Sequence, residues 1–273
     1  EVLQVPLRQL KKNWRSAAAW SAFLAARARL AGRRYDRILD TQGLLKSAWV
    51  AHWPAGLRDG FDAASAREPL AARTYQHVHA VPRELHAVTR NRLLAAQAFG
   101  YTLDGAADYG LDAPDISLDW LPEPAYAVFL HATSRASKMW PDASWIALGE
   151  QMRNRGVRVV LPWGSVAERD KAARLARALP NALVAPGMPL LHAAVMLSRA
   201  AVVVGVDTGL AHLAVALRRP TAGIYITTRP ELTGLHGGAH AVNLGGGSED
   251  APTIPDGDLV WRTVQPWLQA SGS

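Results

Sequence analysis

Residues 202–217, VVVGVDTGLAHLAVAL, constrain this chain more than any other stretch. A short β-branched apolar run stops at Gly205. A polar turn of Asp207, Thr208 and Gly209 follows, and an apolar-periodic helix begins at once. In a parallel α/β sheet such a turn lies at the carboxyl end of a strand and the amino end of a helix. Open α/β folds bind ligands there, and unpaired helix N–H groups face an anion. A second stretch, HATSRASKMWP (131–141), also follows an apolar strand and carries Thr133, Ser134, Arg135, Ser137 and Lys138. Hydroxyls donate and lysine neutralises, so the two loops together point to a phosphate-bearing ligand between them.

The surrounding pattern sets the fold class. Strands are expected at 127–130, 157–161, 201–206 and 221–226, with helices at 143–154, 167–178, 190–199 and 210–217. This βαβα alternation predicts a mostly parallel, doubly wound sheet. Ahead of it, residues 14–31 read as a helix, 37–40 as a strand, 44–50 as a helix and 86–99 as an amphipathic helix. Residues 59–82 read as irregular. From 104 to 124 the composition shifts to Asp, Gly and Pro, and the domain division is placed there. The expected organisation is a first domain over 1–122, a second over 123–258, and a C-terminal helix over 259–273 that packs back toward the first domain. A loose linker is expected to begin at Gly245.

The chain of 273 residues is 49% hydrophobic, enough for two domains of about 100–150 residues each. It has no cysteine, which excludes disulfides and thiolate metal sites. No apolar run approaches the roughly 18 residues needed to span a bilayer. Residue 1 is Glu, and the expectation is a chain that begins within a longer protein. The net charge of +7 is concentrated: residues 1–37 hold nine basic groups, among them Arg8, Lys11 and Lys12, against Glu1 and Asp36. Such a run is either a solvated helix face or a contact for an anionic surface, phospholipid or polyanionic substrate. Trp14 and Trp20 lie near it, but no recognised nucleic-acid motif accompanies them, and no nucleic-acid partner is expected.

Other polar residues are individually ambiguous. After LPWGS (161–165), Glu168 is placed either to take a ribose diol or to serve as a first-turn helix charge. Asp207 would repel a phosphate, so it caps the helix or accepts from a sugar hydroxyl. His212 sits about one turn into its helix. Asp256 and Asp258 have the spacing of metal-dependent glycosyltransferases but lie in a Pro/Gly turn, and they read as structural. There is no dinucleotide glycine fingerprint, no phosphate-binding P-loop and no zinc-type cluster.

Five strings together resemble the lipopolysaccharide heptosyltransferase family, glycosyltransferase family 9, and within it the first-heptose branch. They are RYDRILDTQGLLKSA (34–48), AREPLA (66–71), YAVFLHATSRASKMWP (126–141), LPWGS (161–165) and VGVDTGLAHLAVALRRP (204–220). The resemblance implies a GT-B fold of two Rossmann-like domains across a cleft. It implies a metal-independent, inverting transfer of heptose from ADP-heptose to Kdo-lipid A, with no cofactor. By motif, Thr133, Ser134 and Lys138 hold the diphosphate, with Lys138 also stabilising departing ADP. Glu168 takes the ribose and Met188 lies against adenine. Asp207 contacts the heptose, and Thr208, Gly209 and His212 surround the diphosphate. Arg8, Lys11 and Lys12 fall at the acceptor side. The resemblance further implies a monomer lying peripherally on the cytoplasmic face of the inner membrane.

Two departures accompany it. The family's catalytic Asp lies in a Gly-Asp loop with no match here, so this chain alone is expected to bind donor without transferring sugar. Ile226 and Arg229 stand where the family has Gly and an acid, so the family's contacts from that loop are not carried over. The alternatives are a GT-B transferase for another nucleotide sugar and a non-catalytic nucleotide-sugar-binding relative.

Overall fold

The structure, a computed structural model, describes residues 1–123, 125–133 and 135–269. The chain divides into two compact units, Glu1–Asp104 and Gly105–Ser273. In the first, α1 (Leu7–Lys12) and α2 (Ala17–Ala31) precede β1 (Arg34–Asp40), α3 (Leu45–Ala51), β2 (Ala55–Phe61), a 3-10 turn (Pro69–Thr74), β3 (His77–His79) and α4 (Ala87–Phe99). α2 starts three residues later than expected, because Ser16 caps it by accepting from the Ala19 N–H. The strands form a parallel sheet in the order β1-β2-β3.

Two of those strands correct the reading of 59–82 as irregular. The polar pair Arg58-Asp59 hides β2 in the sequence. In the fold the fully buried Asp59 accepts two bonds from Arg37 Nη1 at 2.8 and 2.9 Å and contacts His79 Nε2 at 2.8 Å. These partners come from β1 and β3, the strands on either side. A carboxylate paired in this way can occupy a central strand, whereas an unpaired one could not.

The second unit contains β4 (Tyr126–Leu130), a 3-10 turn (Ala136–Lys138), α5 (Asp142–Asn154), β5 (Arg158–Leu161), α6 (Val166–Ala178), β6 (Ala182–Val184) and α7 (Leu190–Ser198). β7 (Val202–Val206), α8 (Gly209–Ala216), β8 (Thr221–Tyr225), α9 (Pro230–Thr233), β9 (Ala241–Gly245) and α10 (Gly257–Gln269) complete it. The sheet is parallel throughout in the order β6-β5-β4-β7-β8-β9. Each expected βα element is present. The two edge strands β6 and β9 were not expected, and β9 ends at the Gly245 taken as the start of a linker. Gly245 pairs with Tyr225 and needs its positive φ of 86° to leave the sheet.

Alternate residues of β4 supply two cores. Ala127 and Phe129 face Trp140, Trp145, Met152 and Leu175. Tyr126, Val128 and Leu130 face Met196, Leu197, Ala211 and Val215. α10 buries Val260 and Val264 in the first of these, so its apolar face is accommodated by the sheet of its own unit. The stretch 105–123 runs along this unit too: Tyr109 Oη donates to the His236 carbonyl at 2.7 Å and Arg199 Nη2 to that of Ile116 at 3.0 Å. Among the described residues, no helix is long and apolar enough to cross a membrane.

Trp145 is fully buried, with its ring 4.9 Å edge-on from Trp140 and 5.1 Å from Phe129. Trp145→Ala is expected to lower unfolding stability by about 3–5 kcal/mol, read from the urea midpoint at unchanged slope. A loss below about 1 kcal/mol would contradict this account of the core.

Candidate functional site

The strand order reverses between β4 and β7. From β4 the chain builds outward through β5 and β6, then returns to β7 and builds the other way through β8 and β9. At such a switch point the loops leaving two adjacent strands diverge to opposite faces and leave a crevice at their carboxyl ends. The loops concerned are 131–138 and 207–209, the two singled out in the sequence.

A cavity of about 330 Å³ opens there. Thr133, Gly164, Glu168, Met188 and Thr208 line it, so residues from the loops after β4, β5, β6 and β7 come together. Thr133 Oγ1 donates to the Asp207 carbonyl at 3.1 Å, which commits its proton to the protein. Thr208 caps α8 without a side-chain capping bond, so its hydroxyl is available to the cavity. Gly209 opens α8, and a Cβ there would meet nothing within 4 Å. His212 lies half-buried on α8, outside the cavity lining. Ser134 lies outside the described residues.

The two roles considered for Glu168 coexist. It stands in the first turn of α6, whose N-cap Ser165 accepts from the Glu168 N–H at 3.3 Å. Its Oε2 accepts from Gly164 N–H at 2.7 Å, and the side chain still borders the cavity. Trp163 closes another wall, held by its indole N–H on the Ala185 carbonyl at 2.7 Å.

Lys138 and Asp207, 69 residues apart, meet at 2.6 Å between Nζ and Oδ2, each less than a fifth exposed. Asp207 therefore does not cap α8. Arg8 and Lys11 with Lys12 occupy exposed positions of α1 in the first unit, where the structure gives them no common partner.

Sequence reasoning missed two participants. Thr228, in the loop to which no family contact was carried over, donates from Oγ1 to Asp207 Oδ2 at 3.2 Å. His131 is fully buried beside the cavity, and neither ring nitrogen has a hydrogen-bond partner among the described residues. Its pKa is pushed down to about 4, mainly by burial and then by the Lys171 ammonium, against the pull of Glu168 and Asp142. Lys171 is itself buried and pairs with Asp142 at 3.2 Å. The signal for His131 was its place at the end of a wholly buried strand.

Comparison with known proteins follows the same pattern. The chain matches the model of glycosyltransferase family 9 (heptosyltransferase) over residues 23–256. It is 43% identical over 258 residues to lipopolysaccharide heptosyltransferase 1 of Pseudomonas aeruginosa, covering 93% of this chain and 71% of that protein. The Escherichia coli heptosyltransferase WaaC solved with ADP is similar at a TM-score of 0.86 and 34% identity, covering 98% of this chain and 83% of that one. WaaC with ADP-2-deoxy-2-fluoro heptose gives 0.83 and 33%, covering 97% and 83%.

The buried neutral His131 makes stability depend on pH with a defined sign. Above about pH 6.5 neither the folded nor the unfolded imidazole is charged. Below it the unfolded chain takes up a proton that the folded site refuses until about pH 4, so stability falls as pH falls across that window. The expected loss is about 3 kcal/mol. Melts between pH 7 and 4 should show this slope, and His131→Asn should flatten it. An equal slope in the variant would overturn the assignment.

Proposed function

The chain belongs to glycosyltransferase family 9, the heptosyltransferase family, and on that premise we propose that it moves L-glycero-D-manno-heptose from ADP-heptose to a Kdo residue of Kdo-lipid A in lipopolysaccharide inner-core synthesis. It is a glycosyltransferase, and its α/β units with parallel sheets are of the GT-B type. The observation that carries the reading is the convergence of Lys138, Asp207 and Thr208 at the carboxyl ends of β4 and β7, beside the cavity. A cation, a free hydroxyl and the start of α8 suit a diphosphate, and the carboxylate suits a polyol.

In this reading a Kdo hydroxyl attacks the anomeric carbon of the heptose with inversion. A new glycosidic C–O bond forms as the bond to the diphosphate breaks, the hydroxyl proton passes to a carboxylate base that none of the matched motifs of this chain supplies, and no metal is needed. The diphosphate gains negative charge as it departs. Lys138 and the Thr208 hydroxyl therefore act most strongly in the transition state, which is what raises turnover and not merely affinity. Adenine lies toward Met188 and the ribose toward Glu168. Arg8, Lys11 and Lys12 on α1 meet the anionic acceptor and an anionic leaflet, so the protein sits peripherally on the cytoplasmic face of the inner membrane.

Calorimetric titration with ADP-heptose, ADP-mannose and UDP-glucose tests the donor, and preferential binding of ADP-heptose is expected. Preference for either of the others overturns the reading. In a transfer assay on the intact enzyme, with the family's Gly-Asp loop present, Lys138→Ala should lower kcat by roughly 10²-fold while donor affinity changes far less. Unchanged turnover would remove Lys138 from that role.

A further inference from the structure

The loop 226–229 follows β8, the neighbour of β7, and is held by three main-chain bonds. Gly246 N–H donates to the Tyr225 carbonyl at 2.7 Å, Thr253 N–H to that of Ile226 at 3.0 Å, and Gly247 N–H to that of Thr228 at 3.4 Å. Neither Ile226 nor Arg229, the two departures from the family pattern in this loop, lines the cavity. Ile226 is buried with Val206, Ile224 and Leu244 in the core. Arg229 is largely exposed, 3.9 Å from Glu231. The hydroxyl of Thr228 instead reaches across to Asp207 Oδ2, the oxygen that also receives Lys138.

Both side-chain donors therefore converge on one oxygen. Among the described residues Oδ1 has no protein partner, and the Asp207 main chain is fixed separately by Thr133. The torsion that sets a carboxylate plane is soft and roughly two-fold. An ammonium on a flexible stem binds as a point charge and does not fix that plane. A second donor, arriving from the β8 side on a braced loop, does.

We infer that Thr228 is a positioning residue of the donor site, holding the Asp207 carboxylate so that Oδ1 is presented to the sugar hydroxyls of the nucleotide sugar. An ionised carboxylate only accepts hydrogen bonds, so Oδ1 takes hydroxyls and repels phosphate oxygens. Thr228 thus contributes to recognition of the sugar and not of the nucleoside diphosphate. The inference rests on the cavity being the donor site.

The test compares Thr228→Val, which keeps the shape and removes the donor, with Thr228→Ser, which keeps it. Each is titrated with ADP-heptose and with ADP, and thermal melts confirm folding. Thr228→Val should weaken ADP-heptose roughly tenfold while ADP stays within about twofold, and Thr228→Ser should recover most of the loss. Added to Asp207→Asn, Thr228→Val should cost little more, because the two act as one unit. Equal weakening of both ligands by Thr228→Val, or no weakening, overturns the inference. A wild-type chain that binds neither ADP nor ADP-heptose overturns the donor reading itself, and the inference with it.

Discussion

Strand β4 sits between β5 and β7, hydrogen-bonded to both and buried along its whole length. The rest of the second unit depends on that placement. Its side chains feed two separate cores, so helices must cover both faces, and the chain must cross back over the sheet to add β7. The crossing leaves a crevice that no backbone fills. The cavity, the start of α8 and the Lys138–Asp207 contact are consequences of strand order, and none of them needs unusual local geometry.

Around that crevice the polar groups are arranged by burial and by charge. Lys138 and Asp207 compensate one another in a half-dry setting, where either alone would be costly. Lys171, buried on α6, is compensated by the more exposed Asp142 at the start of α5. His131 differs: fully buried next to a cation, it stays neutral and has no hydrogen-bond partner among the described residues. The first unit shows the same rule. Asp59 is tolerated in its central strand because Arg37 and His79 reach it from both sides.

Legibility in the sequence followed burial. The elements from β4 to β8 were readable because their strands are continuous apolar runs and their helices are periodic. The edge strands β6 and β9 were not, since both are largely half-buried, β6 is only three residues long and β9 is interrupted by Asn243. β2 was masked by Arg58 and Asp59, whose compatibility with a strand depends on residues of β1 and β3. In the site, Thr133, Glu168 and Thr208 could be named from their places after strands and Met188 only from the family resemblance, and all four border one cavity. Thr228 could not. Its neighbours Ile226 and Arg229 depart from the family pattern, and its own contact exists only because β8 lies beside β7.

The sequence by itself determined the parallel α/β class, the family, and the two loops that carry hydroxyls, Lys138 and Asp207. These are local or statistical properties: apolar periodicity, turn chemistry and motif. Tertiary structure alone decided that Lys138 and Asp207 touch, that Thr228 joins them, that Thr133 turns its hydroxyl to the Asp207 carbonyl, and that the His131 ring is fully buried beside the cavity. Each of these follows from which strands are neighbours. Strand order is set by packing whole faces of the sheet against helices, a global property that no local pattern of residues encodes.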